Sequence, residues 1–139
     1  MARKVLFVCN MNSVRSPMAA AILANEAGPD AAVDSAGVHE GGADPFVASV
    51  LDEIGVSLGD YEPKALSDVD VSLFDVVIAL TPEAAAEARR LIPADRLEFW
   101  PIENPSEERG GDEALFSAYR AVRDELAARI RARFPAGHK

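Results

Sequence analysis

Cys9 and Arg15 are the two residues of this chain whose types and spacing best suit joint chemistry. Cys9 is the only cysteine. It ends the apolar run Val5-Leu6-Phe7-Val8, and Arg15 follows just before Ser16-Pro17. Between them lie Asn10, Met11, Asn12, Ser13 and Val14, whose backbone can curl until its N–H groups converge on an anion. Arg15 adds a planar fork that matches two oxygens of a tetrahedral oxyanion. The field of such a cradle favours the charged form of a thiol. A thiolate under a bound phosphate is placed to attack it and form a covalent phospho-enzyme.

These residues need a strand before them and a helix after them. Lys4–Val8 reads as a short buried strand, bounded by turn chemistry. Ser16 is expected to N-cap the next helix, with Pro17 in its first turn, and the Ala-rich stretch Met18–Glu26 is expected to stop at Gly28-Pro29. A strand is expected over Ala31–Ser35, ending at Gly37, then a Gly-rich loop from His39 to Ala43. Asp44-Pro45 starts a helix on which Phe46, Val47, Val50, Leu51 and Ile54 recur at helical spacing before Gly55. A short turn or helix over Leu66–Asp70 precedes the most apolar strand, Phe74–Leu80. A helix over Pro82–Leu91 and a strand over Arg96–Trp100 follow. After a polar loop from Glu103 to Gly111, the last helix places Leu115, Tyr119, Val122, Leu126 and Ile130 on one stripe. Strands alternating with helices predict an α/β fold, a parallel sheet with helices on both faces. In such sheets ligands sit at the carboxyl ends of strands, where the loop from Cys9 begins.

The 139 residues read as one domain, 1–139, large enough for a core without disulfides. A formal charge of −9 and a pI near 4.6 argue against nucleic acid or an anionic membrane as partner. The first apolar run is too short for a signal peptide or a span, so a cytoplasmic location is expected.

The stretch VLFVCNMNSVRSPMAAAIL resembles the N-terminus of the low-molecular-weight protein-tyrosine phosphatases and the related thioredoxin-coupled arsenate reductases. The likeness continues through VDSAGV (33–38), ADPFVASVLDEIGV (43–56), FDVVIAL (74–80) and YRAVRDEL (119–126). It implies a four-stranded parallel sheet with a phosphate-binding loop after the first strand, and no metal or organic cofactor. It also implies that Cys9 is the nucleophile and Arg15 the oxyanion ligand. Ser16 would donate to the sulfur and help it leave, and Asn12, held by Ser35, would support the loop. Asparagine suits such a place because it tolerates left-handed backbone.

Four departures from the family pattern bear on activity. Where the family carries the Asp-Pro whose carboxyl protonates the leaving group, this chain has Asn104-Pro105, and an amide supplies no acidic proton. A missing general acid costs about 10²–10⁴-fold for a poor leaving group. Glu103, Glu107 and Glu108 are the nearby carboxylates that could stand in, each reading first as a solvated loop charge; Asp44-Pro45 reads as a helix start only. Second, the aromatic wall of the phosphatases is replaced by Ser106-Glu107 and by the His39–Gly42 stretch, where His39 reads first as a bystander. Third, the two relay cysteines of the thioredoxin-coupled reductases are absent. Fourth, Met11 stands where glycine is usual, which leaves the loop backbone less free.

Three functions compete on this basis. The first is slow hydrolysis of phosphate monoesters through a cysteinyl-phosphate. The second is arsenate reduction by the single cysteine with an external thiol as partner. The third is oxyanion binding without turnover.

Overall fold

A computed structural model describes residues 4–11, 14–27, 32–39, 41–42, 44–58 and 63–134. Four strands, β1 (Lys4–Cys9), β2 (Ala32–Gly37), β3 (Val76–Ala79) and β4 (Leu97–Phe99), alternate with four helices. The helices are α1 (Arg15–Ala27), α2 (Pro45–Asp52), α3 (Pro82–Arg89) and α4 (Asp112–Arg133). All strand pairs are parallel and the sheet order is β2-β1-β3-β4. The expected α/β sandwich of helices around a four-stranded parallel sheet is the observed fold.

The period of two along β1 divides the core. Val5, Phe7 and Cys9 point to the face covered by α1, α2 and α4, with Met18, Ile22, Val47, Leu51, Leu126 and Ile130. Leu6 and Val8 point to the other face, under Ala84 and Ala88 of α3, with Leu66, Val71 and Ile92. Small alanines let α3 lie close to the sheet, while the broader face needs the long side chains of three helices. From Val5 onward β1 is therefore apolar, as a strand covered on both sides must be.

Sequence order reverses at β1, which has β2 on one side and β3 on the other. A crevice opens at such a reversal, beyond the strands' carboxyl ends. Cys9 is the last residue of β1 and stands at its lip.

Element boundaries differ from expectation in instructive places. α1 begins at Arg15, so Ser16 lies inside its first turn and does not cap it. Its hydroxyl is drawn instead to Cys9 Sγ, 3.0 Å away, and to the Ala36 carbonyl. α2 ends at Asp52, two residues before Ile54; Glu53 closes it and Gly55 turns the chain with φ +74°, a conformation glycine adopts at little cost. The predicted stop of α1 at Gly28-Pro29 lies outside the described residues. Leu66–Asp68 forms a single 3-10 turn, and a second at Val71–Leu73 was not anticipated.

Candidate active site

The loop after β1 is fastened from both sides. Val38 N–H donates to the Cys9 carbonyl at 2.9 Å, His39 N–H to Asn10 at 2.7 Å and Gly41 N–H to Met11 at 2.9 Å. Three carbonyls that would repel an oxyanion are thus tied outward to the chain leaving β2. On the other side Thr81, which caps α3, donates its hydroxyl to Asn10 Oδ1 at 2.6 Å while accepting from Ala84 N–H. One threonine therefore anchors a helix start and the second residue of the cradle.

Cys9 is buried, with 2% exposure, and lines a pocket of about 200 Å³. Met11, Val14, Arg15, Gly41, Gly42, Asp44, Asn104 and Ser106 complete its described wall. Ser16 is wholly buried beneath the sulfur. Its hydroxyl has one proton to offer to Sγ or to the Ala36 carbonyl. A thiolate would take it; a thiol would itself donate to Ser16 and leave the hydroxyl to Ala36. The pair can thus follow the charge of the sulfur without any backbone movement.

Arg15 shares this pocket, and its Nη1 donates to the Ile102 carbonyl at 2.9 Å, which fixes the guanidinium from 87 residues away. Burial pulls its pKa below the ordinary arginine value, opposed by the charges of Cys9 and Glu107. A guanidinium partly stripped of water gains more from a bound anion than an exposed one would.

The other expected site residues fall as follows. Met11 is exposed at the rim and Val14 is buried in the wall. Asn10, held by Thr81, faces a neighbouring cleft of about 550 Å³ on the far side of Arg15. Asn12 and Ser13 lie outside the described residues, and the expected Asn12–Ser35 support with them. Ser35 is buried on β2, opposite Phe7.

Asn104 does reach the Cys9 pocket. Its Oδ1 accepts from Ser106 N–H at 3.0 Å and from the Ser106 hydroxyl at 2.7 Å. With the oxygen occupied, the amide NH₂ is the end left to meet a ligand, a donor but not an acid. The carboxylates Glu103, Glu107 and Glu108 line the neighbouring cleft instead. Glu108 Oε2 already accepts from the N–H groups of Arg109 and Gly110. His39 pairs with Glu83 at the surface, 3.2 Å away, and is absent from the described pocket wall. That wall contains no aromatic side chain.

Asp44, read from the sequence as a helix start only, does more. Oδ1 caps α2 by accepting from Phe46 N–H at 2.9 Å, and Oδ2 accepts from the hydroxyl of buried Tyr119 at 2.6 Å. The same carboxylate lines the Cys9 pocket. Burial first, then the bond to Asp44 and its charge, raises the Tyr119 pKa, so the phenol stays a donor. Nothing in the local sequence distinguishes this Asp-Pro from any other helix cap; the signal lay in Tyr119, which was expected only as a core residue.

A family model for low molecular weight phosphotyrosine protein phosphatase matches residues 4–135. The chain belongs to that family. An arsenate reductase of Bacillus subtilis is 26% identical over 91% of both chains. A glutaredoxin arsenate reductase of Synechocystis is 25% identical over 92% of this chain and 93% of its own. The solved structure of the YwlE arginine phosphatase from Geobacillus stearothermophilus superposes with a TM-score of 0.76 at 30% identity, covering 92% of this chain and 88% of that one. The family thus joins hydrolases and oxyanion reductases on one fold, and the choice between them rests with the individual site.

Proposed function

We propose that this chain is a cysteine-dependent phosphatase of phosphate monoesters, working through a cysteinyl-phosphate. The observation that carries this reading is the placement of Cys9 Sγ 3.0 Å from Ser16 Oγ, in a pocket whose wall includes Arg15. Arg15 and the loop amides bind the phosphoryl oxygens. The Cys9 thiolate attacks phosphorus, an S–P bond forms, and the ester P–O bond breaks. The leaving oxygen takes its proton from solvent, because Asn104 has none to give; turnover is slow for poor leaving groups. Water then attacks phosphorus, the S–P electron pair returns to sulfur, and Ser16 steadies the thiolate.

A second reading, arsenate reduction, draws support from the pocket's small volume without a described aromatic wall, and from the names of its relatives. Cys9 would attack arsenate and expel hydroxide. An external thiol would then attack Cys9 Sγ, leaving a mixed disulfide as two electrons pass to arsenic and arsenite departs. A second thiol would restore Cys9. The lack of a second cysteine requires that both thiols come from outside.

A side-by-side assay of aryl phosphate hydrolysis and thiol-dependent arsenate reduction, on wild type and Cys9→Ser, decides between them. Phosphate release that vanishes in Cys9→Ser supports the phosphatase. Thiol-dependent arsenite production without phosphate release supports the reductase. Oxyanion binding with neither reaction would mark a non-catalytic relative. In each case Arg15→Lys should lose at least about 10-fold in phosphate affinity by isothermal titration, since a point charge does not replace a bidentate fork. Equal affinity would remove Arg15 from the site.

A further inference from the structure

With Asn104 unable to move a proton, the site needs another group to activate water in the second half of the reaction. We propose that Asp44 is that group, the general base that opens the cysteinyl-phosphate; this rests on the phosphatase reading above.

Among the described residues lining the Cys9 pocket, Asp44 is the one carboxylate. Both its oxygens are held, Oδ1 by Phe46 N–H at 2.9 Å and Oδ2 by the Tyr119 hydroxyl at 2.6 Å. Each carboxylate oxygen has a second lone pair, so these bonds orient the group and leave it able to accept a proton. Tyr119 is 1% exposed and packs against Phe46, ring centroids 5.2 Å apart. The phenol therefore cannot swing away, and the carboxylate keeps its aim. Among the described residues, the titratable or charged groups that touch Asp44 or share its pocket are Tyr119 from α4, Cys9 from β1 and Arg15 from α1.

In the step proposed, water oxygen bonds to phosphorus while the S–P bond breaks and its electron pair returns to Cys9 Sγ. The water proton passes to Asp44, phosphate leaves, and Asp44 returns the proton to solvent. Asp44 plays no part in expelling the first leaving group. This separates its role from that of an acid at position 104.

The test is Asp44→Asn in the full chain, with an activated aryl phosphate. Asparagine is as good an N-cap as aspartate, so α2 keeps its entry. The first burst of aryl alcohol should persist while steady-state turnover falls about 10²-fold or more. Phosphate bound covalently to Cys9 should accumulate and be visible by intact mass. Tyr119→Phe keeps the carboxylate and removes its donor. It should accumulate less phospho-enzyme than Asp44→Asn and keep more of the turnover, because the base remains and only a bond that orients it is lost. Unchanged turnover in Asp44→Asn overturns the proposal, as does an equal loss of burst and turnover, which a structural role would give. Wild type with no Cys9-dependent phosphate release overturns the phosphatase reading and the proposal together. Wild-type turnover with an unaffected Asp44→Asn overturns the proposal alone.

Discussion

At the scale of single residues, the site is a set of side chains each doing two jobs. Ser16 faces both sulfur and the Ala36 carbonyl, Thr81 caps a helix while fastening Asn10, and Asp44 caps another while facing the pocket. Asn104 is the exception, since its oxygen is spent on Ser106 and its amide carries no acidic proton. Asn104→Asp should restore an acid. The gain should reach about 10²-fold for a poor leaving group such as phenyl phosphate and stay small for p-nitrophenyl phosphate. The two donors from Ser106 would favour the ionised form of the new carboxyl. The gain should therefore be largest on the acid side and decay as pH rises. Rate profiles for both esters against pH check this; equal responses would show that residue 104 does not reach the leaving oxygen.

Among the elements, α2 and α4 matter most, because together they hold Asp44 and Tyr119 in register. A charged clamp joins them near the end of α2. Arg120 grips the Glu53 carboxylate with Nε at 2.9 Å and Nη2 at 2.7 Å. Arg123 adds Nη1 at 2.8 Å and also donates to the Val50 carbonyl. The hydrogen bond from Arg120, helped by Arg123, holds the Glu53 pKa down at about 2 against an ordinary 4.5. A carboxyl with a depressed folded-state pKa stabilises the fold above its ordinary pKa and loses that contribution as pH falls through the folded value. Glu53→Gln should therefore lower the urea midpoint near neutrality. The gap to wild type should narrow as pH falls from 4.5 towards 2. A gap that stays constant with pH would mean that the carboxylate's charge is not what joins the helices. Tyr119 lies on the same helix as both arginines, so the clamp also bears on the aim of Asp44.

For the whole molecule, the sheet is covered unevenly, by three helices on the Cys9 face and by α3 on the other. Leu126 sits at 0% exposure in the larger layer. Leu126→Ala should cost about 2–5 kcal/mol, the usual range for a buried leucine with its cavity left behind. Urea unfolding with an unchanged slope would confirm that the loss lies in the native core. Phosphate should stabilise the native state by mass action, by about 2.7 kcal/mol at a hundred times its Kd. Arg15→Lys should forfeit most of that increment, and Leu126→Ala should keep it, because a core truncation need not alter the ligand's contacts. If Leu126→Ala lost the phosphate response, the core and the cradle would be coupled more tightly than the packing suggests. No helix among the described residues is long and apolar enough to cross a membrane.

The sequence by itself determined whatever is local. The apolar run of β1, its ending at Cys9 and the return of helix chemistry by Arg15 lie within a dozen residues, where backbone preference and spacing decide the outcome. The alternation of strands with helices, and the period of two that sends Val5, Phe7 and Cys9 to one face, were legible for the same reason. The sequence also pointed to Asn104, which the structure brings to the wall of the Cys9 pocket. The tertiary structure alone decided which distant groups meet. Thr81 finds Asn10 across 71 residues, Tyr119 finds Asp44 across 75, and Ile102 finds Arg15 across 87. Those meetings depend on the sheet order β2-β1-β3-β4, which brings the loops after all four strands to one end. No single segment encodes that order. It follows from burying two apolar faces at once, and only then does an ordinary helix cap such as Asp44 come to face a cysteine.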